Sequence, residues 1–444
     1  MRAESIYGGT SSQNVSCICT VPLFRAKATE REHAVRRSTA PSMVGEALRL
    51  ELVTDRTEAG ERWRELESRL GNVGLTNGWP WISTWLNNYD DVVDITFAFG
   101  VANGTDIGGA LITEAVYWLR GIPVRAVHIG TAGEPTRERT TVEYNRLLVG
   151  AEHLDLFAGE LVLLLKRRFR WSALRLNGFV PPHAEALMRA CGRAGLRFRV
   201  EEKTCPVFDF DLASARGHAG VFAELGKNTR HSIRRSQRLF LDRFGPLRLE
   251  WAETTEQAEL ILSELITLHQ DRWRRRGEAG AFPTERVKRY HQQLITALSL
   301  WPLGSLIVTR LAYGDTTVGC LYNFVENGRV MFYKGGIAQF GDNRLKPGLV
   351  THALCMAECQ RRSLVVETHP RSREPDAGDG ERRLVRYDFL AGESRYKEQL
   401  SNSESVLIWV LGRRGAQMKM LEWLRRPFMW GRGIVKALQQ WRVG

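Results

Sequence analysis

A chain of 444 residues exceeds what one hydrophobic core fills, and the length points to two or three domains. Its 43% hydrophobic and 25% charged residues suit a folded globular protein; no run reaches the ~20 apolar residues of a membrane span, since the best, Leu161–Leu165, is cut by Lys166, Arg167 and Arg168. The net charge of +13 leaves three anionic partners open: nucleic acid, a lipid surface, or a substrate or cofactor. A coding bias toward Arg would raise the charge with no partner at all.

Residues 1–45 are rich in Ser, Thr and Arg without a sustained apolar period, which predicts a disordered tail. They also lack the apolar core of a secretory signal. Seven irregularly spaced cysteines fit a reducing compartment, so a cytoplasmic location is expected. Structure begins with the alternating run 48–53, a strand. A helix over 57–70 then puts Trp63, Leu66 and Leu70 on one face. In NGWPWISTWLNNYDD (77–91), Pro80 suits a helix start, and Trp81 and Trp85 share a face. Strands follow at 94–102, 108–119 and 123–129, the first two joined by the hairpin signal Ala102-Asn-Gly-Thr105. A helix at 153–169, a strand at 173–176, a helix at 182–194, and strands at 196–200 and 207–210 complete an α+β unit of about 165 residues.

The second half opens with a helical stretch over 219–244 and a strand at 247–251. Helices at 256–275 and 284–300 precede strands at 305–313, 317–325 and 329–335, with hairpin signals at 312–315 and 326–329. A helix over 347–361, an exposed loop over 367–383, and strands at 385–389 and 406–410 end the folded part. Helices, a three-stranded meander, a helix and two strands thus occur twice, which predicts a duplicated mixed α/β fold with domains at 46–212 and 213–411. The remaining 412–444 form a basic amphipathic tail. There Trp423, Phe428, Trp430 and Trp441 lie among eight Lys and Arg, and an anionic membrane surface or the body of the protein are alternative partners.

Four stretches carry chemistry. In 329–359 a strand ends at Gly335-Gly336, and Arg344 and Lys346 precede a helix that starts at Pro347-Gly348. Unpaired amides and the dipole at such a helix start bind phosphate, and Gly348 allows close approach; solvated bases at an ordinary helix start fit the same residues. In 224–243, Arg230 and Arg234 line one helix face, as an anionic-substrate surface or a solvated one. No aromatic interleaving supports nucleic acid. In LHQDRWRRRGEAGAF (268–282), His269 is either a general base or a packing residue beside Trp273. His352, Cys355 and Cys359 share a helix face, but a fourth ligand is missing, so buried thiols are expected and no metal.

LHQDRW, RRGEAGAF, VGCLYNFVENGRVMFYKGG, RLKPGLV and YDFLAGESRYKEQL, in that order, resemble the CelD-type acetyltransferases of cellulose and exopolysaccharide biosynthesis, relatives of the Fem aminoacyltransferases within the GNAT superfamily. GKNTRHSIRR and NGWPWISTWL resemble further motifs of that family, and the likeness spans about residues 48–410. It implies two tandem GNAT folds, acetyl-CoA or another acyl-CoA as co-substrate, and an amine or hydroxyl acceptor on a small molecule or glycan. Arg344, Lys346 and Gly348 would hold the coenzyme, in a loop one residue longer from Arg to Gly than the family pattern. The loop at 367–383 replaces a short turn.

Under this resemblance the pantetheine lies along 329–336, and Tyr333 is a proton donor or a packing residue. Arg230, Arg234, His269, Trp273 and Tyr396 fall on the acceptor side. In RYDFLAGESRYKEQL (386–400), Asp388 points away from Tyr387 and Phe389 toward the cleft, and Gly392 turns the chain so that Lys397 returns to it. An ionised Asp388 would then take the acceptor's proton while Lys397 holds an anionic group; a buried Asp388–Lys397 pair that locks the turn is the structural alternative. Two rivals stand beside this reading. A tRNA-dependent Fem-like aminoacyltransferase is favoured by the basic helix and opposed by the lack of an inserted helical hairpin. A non-catalytic component of a polysaccharide machine is favoured by the tail.

Overall fold

The computed structural model describes residues 48–71, 73–119, 121–217, 220–298, 304–368, 383–392 and 394–415. The expected tail at 1–45, nearly all of that at 412–444, and most of the 367–383 loop lie outside them. In the first half, β1 (Arg49–Val53), α1 (Arg56–Leu70) and α2 (Trp79–Tyr89) precede the meander β2 (Asp94–Ala102), β3 (Thr105–Leu119) and β4 (Ile122–Ile129). A long loop holding the two-residue β5 (Leu148–Val149) leads to α3 (Leu154–Arg168), β6 (Ala173–Phe179), α4 (Pro181–Arg193) and β7 (Arg197–Asp209).

Three helices, α5 (Phe210–Ala215), α6 (Val221–Glu224) and α7 (Lys227–Phe244), link the halves. The order then repeats: β8 (Leu247–Trp251), α8 (Thr255–Arg274), α9 (Glu285–Ala297), the meander β9 (Leu306–Tyr313), β10 (Thr316–Glu326) and β11 (Arg329–Ile337), α10 (Pro347–Thr368), β12 (Arg386–Asp388), α11 (Arg395–Leu400) and β13 (Ser403–Arg413). Both expected Asn-Gly hairpins form, with Asn103, Gly104, Asn327 and Gly328 in the left-handed region that such turns require. The helical stretch expected over 219–244 breaks instead into α6 and α7, at Leu225-Gly226.

The halves do not close into separate sheets. The strand order is β1-β2-β3-β4-β6-β13-β7-β12-β11-β10-β9-β8, so the last strand of each half pairs with the other half: β7 with β12, and β13 with β6. At the centre β13 and β7 pair antiparallel from Ser403↔Val207 to Arg413↔Arg197. The expected boundary at 212/213 falls within α5 and separates no independent sheets. The two strands expected at 196–200 and 207–210 are one, because pairing along β13 orders the exposed polar run Glu201-Glu202-Lys203, where no apolar alternation marks a strand.

A second seam lies between helices. α2 packs on α9: Trp81 meets Phe324 (5.2 Å between centroids) and Tyr290 (6.4 Å), Tyr89 meets Tyr290 (5.8 Å), and the Asn88 amide donates to Gln293 at 2.6 Å. These rings are almost fully buried; burying such a side chain stabilises by about 1.5–3 kcal/mol, and each aromatic pair adds about 0.5–1.5 kcal/mol.

Candidate active site

The site begins with a break in the sheet. β11 and β12 are parallel but pair only over Arg329–Met331 and Arg386–Asp388. The β10–β11 register slips between Tyr322 and Asn323, so Tyr333 is an extra residue on β11. Such a bulge bends its strand, and beyond it residues 332–337 keep β10 as their only strand partner. At Gly336 helix α8 lies against the strand backbone: an added Cβ would sit 2.5 Å from the Leu265 carbonyl oxygen. The open edge leads toward the start of α10.

At that start the Lys346 carbonyl accepts from Val350, and the Lys346 N–H is taken by Ser236 Oγ at 2.9 Å. Pro347 has no N–H, so Gly348 and Leu349 carry the first free amides of the helix. A Cβ on Gly348 would meet only Ile337 carbons, at 3.9 and 4.0 Å, which leaves room above the amides. Arg344 is present but turned to Asp342, at 2.7 Å, and Arg243 reaches the same carboxylate at 2.8 Å. The Arg344 hydrogen bonds hold Asp342 well below the usual carboxylate range. Two arginines thus converge on one acid. Free amides, surplus positive charge and an unpaired strand edge suit the pyrophosphate and pantetheine of coenzyme A.

Across the break stands the turn 389–392. Asp388 is fully buried; its carboxylate accepts from the Leu390 N–H at 2.7 Å and the Tyr144 hydroxyl, with Arg329 at 3.5 Å. Lys397 donates to the carbonyls of Leu390 (3.0 Å) and Ala391 (3.1 Å). Asp388 and Lys397 therefore do not join directly; each binds the backbone of the same turn, in which Leu390 and Gly392 have positive φ. Asp388 does point away from Tyr387, which faces His352 and α10. Its expected full ionisation is opposed by burial, which raises its pKa and outweighs the nearby Arg329.

The residue that sequence reasoning missed is Glu143. It lies on the long loop after β4, in the first half, and accepts from the Ala391 N–H of the second-half turn at 2.8 Å. Its neighbour Thr141 sits 3.4 Å from the Lys334 ammonium. Burial raises the Glu143 pKa, and burial draws Lys334 down to about 8 and lowers Lys397. The Trp motif places this loop: Trp81 Nε1 donates to Thr131 (3.0 Å), Trp85 Nε1 to Glu134 (2.7 Å), and the Tyr89 hydroxyl to the Glu138 carbonyl (3.2 Å). Tyr144, at φ 62, holds a conformation rare for a non-glycine residue as it reaches Asp388. Only the NGWPWISTWL motif hinted at this, since it had no partner in the sequence.

The other predicted residues divide. Tyr396 stacks on His352 (5.4 Å, 22°) beside Phe389, under the turn. Tyr333 is buried against Phe324 (4.9 Å) and Tyr322 (5.7 Å), contacts that suit packing. His269 uses both nitrogens: Nδ1 donates to the Gly335 carbonyl at 3.0 Å, and Nε2 accepts from Ala281 at 3.1 Å. It ties α8 to β11 and keeps no nitrogen for a substrate proton. Trp273 packs beside it, under Arg276. Arg230 bonds the Ala223 carbonyl (3.0 Å), and Arg234 is exposed. The Arg230 end of α7 lies by α6, which reaches Gln360 far along α10 from its start, whereas Arg234 is only two residues before Ser236, which bonds Lys346 at that start; neither has a hydrogen bond or ion pair to a residue of the break among the described residues. Cys355, Cys359 and His352 are buried, and among the described residues no group of three or more His, Cys, Asp or Glu could hold a metal.

Residues 227–367, about a third of the chain, match the family profile described as "Acetyltransferase (GNAT) domain". No curated protein matches the chain. Among solved structures it is similar to FemX (9% identity, 81% of this chain and 96% of that one, TM-score 0.49). It is also similar to a conserved protein of unknown function from Bacteroides thetaiotaomicron (11%, 83% and 100%, TM-score 0.46) and to a tandem GNAT protein from the clavulanic acid biosynthesis pathway (12%, 83% and 100%, TM-score 0.41). The protein has a mixed α/β fold with a GNAT-like domain in its second half, and its first half repeats the same order of elements.

Proposed function

We propose that the protein transfers an acyl group, acetyl in the simplest case, from acyl-CoA to an amine or hydroxyl at the break between β11 and β12. The observation that carries this is the open edge of residues 332–337, which carries Lys334, runs to the free amides of α10 and faces Glu143 and the turn 389–392. When bound, acyl-CoA supplies an activated thioester. Gly348, Leu349, Arg344, Lys346 and Arg243 hold its phosphates, and the β11 edge orients the pantetheine. Glu143, whose pKa burial raises, accepts the proton of the acceptor, and Lys334 returns one to the departing sulfur. Asp388 and Lys397 are positioning residues: they fix the turn whose Ala391 N–H orients Glu143. The CelD-like stretches at 268–282 and 329–400 favour a glycan or sugar precursor as acceptor.

Glu143→Gln keeps the acceptor of the Ala391 bond and removes the base. Release of free coenzyme A from acetyl-CoA, followed with a thiol reagent over a panel of amino sugars and amines, should fall about a hundredfold at unchanged melting temperature. Turnover equal to the unaltered protein would remove Glu143 from the chemistry, and no turnover by either protein would favour a non-catalytic role. The Fem-like alternative gains nothing from the region after α8, because α8 and α9 are joined directly by residues 275–284 with no inserted helices.

A further inference from the structure

Beside the break, on the Asp388 face of the sheet, lies a pocket of about 460 Å³ that the acyl-transfer chemistry does not use. It is lined by both halves: Arg146 and Tyr144 from the long loop, Arg329 and Arg386 from β11 and β12, and Ser405 from β13. Arg329 and Arg386 are register partners on adjacent parallel strands, so two guanidinium groups start from Cα atoms about 4.8 Å apart. Like charges placed so repel. Arg329 is partly neutralised by Asp388 and lies over the Tyr144 ring at 4.3 Å, and Arg146 is paired with Glu326. Arg386 has no ion-pair or hydrogen-bond partner for its side chain among the described residues, and its Nε is buried. A half-buried, unpaired guanidinium beside a second one is costly unless an anion completes it.

We propose that this pocket binds an oxyanion of the acceptor, a phosphate or carboxylate, with Arg386 as its principal ligand and Arg146 and Arg329 at its sides. Planar guanidinium groups match both oxyanions with paired hydrogen bonds. The volume lies in the range of small-molecule sites, and Val180, Pro181 and Val406 give it an apolar wall for the rest of the molecule. Its connection to the chemistry is short in bonds: Tyr144 lines the pocket and binds Asp388, and the preceding residue, Glu143, binds Ala391 across the break. An acceptor anchored here by its anion would extend toward Glu143. Identifying the pocket with the acceptor rests on the acyltransferase reading; the oxyanion site itself does not.

The test uses the full chain saturated with coenzyme A, so that the loop before α10 is filled, and titrates inorganic pyrophosphate, inorganic phosphate and acetate by calorimetry. Pyrophosphate or phosphate should bind to the unaltered protein and to Arg344→Ala alike, and about tenfold or more weakly to Arg386→Gln; stronger acetate binding would mark a carboxylate as the natural group. The ligand-free Arg386→Gln protein should melt at a higher temperature, because an uncompensated charge is gone, whereas a merely structural Arg386 would give a lower one. Equal anion affinity in Arg386→Gln, or no anion binding once coenzyme A is present, overturns the proposal. Arg386-dependent anion binding in a protein that binds no coenzyme A would keep the oxyanion site and discard the acyltransferase reading.

Discussion

In the proposed mechanism Glu143, to which the sequence gives no role, accepts the proton that the sequence reading assigns to Asp388, and Asp388 positions the turn. Asp388 stands in a run with a clear strand pattern, and Lys397 follows at the distance of one turn and one helix start, so the pair invites a catalytic reading. Its facing is legible, because strand alternation alone sends it away from Tyr387. Its bonding is not, because Tyr144 and Leu390, its partners, are set by a loop 244 residues away and by a positive φ that no residue type announces. Glu143 lies in TTVEYN, without period or motif, and only the fold carries it to Ala391. His352 offers a residue-scale check on the crevice floor. It is buried between Phe332 and Tyr396, and burial takes its pKa from 6.5 to about 3. Below pH 6.5 the unfolded chain binds a proton that the folded chain refuses, so His352 lowers stability as pH falls from 6.5 toward 3. Urea unfolding at pH 7 and pH 5 should therefore show His352→Gln losing about 1–2 kcal/mol less over that interval than the unaltered protein. Equal losses would mean that His352 is protonated in the fold.

The loop before α10 and the start of that helix act as one element. The sequence marks it well, since Arg344, Lys346 and Pro347-Gly348 are the residue types that an anion-binding helix start needs. What the sequence does not reveal is that Asp342 holds both Arg344 and Arg243, an arrangement set by the packing of α7 on α10. An anion must compete with Asp342 for these side chains. Asp342→Asn should tighten coenzyme A binding severalfold, and Arg344→Ala should weaken it by roughly 1–3 kcal/mol, the range of a charge-assisted hydrogen bond. Calorimetry of both variants reads the two signs directly, and weaker binding by Asp342→Asn would show that the acid orders the loop instead of opposing the ligand. The strand expectations succeeded where one face is buried and failed in β7, whose exposed half is ordered by β13 alone.

At the scale of the molecule, the duplication was legible from the order of elements, and the exchange of β7 and β13 was not, because strand order depends on pairings some 200 residues apart. The exchange predicts that neither half folds alone. A chain ending at residue 402 leaves β6 without a partner on one side and β7 with an unpaired edge, so it should lose its cooperative melt; a soluble, cooperatively melting 46–402 fragment would show that β13 is dispensable. The same topology gives the protein two breaks between parallel strands. The first-half one, between β4 and β6, is a pocket of about 200 Å³ lined by His128, Arg175 and Asn177 and by the first half's own loop, whereas the second-half one faces a free helix start and Glu143. The two can be told apart by hydrogen–deuterium exchange of the full chain with and without acetyl-CoA. An acyltransferase site in the second half predicts slowed exchange in peptides covering 332–337 and 344–350, with those covering 129–135 and 175–179 unchanged; protection confined to the first-half peptides, or none at saturating acetyl-CoA, would contradict it.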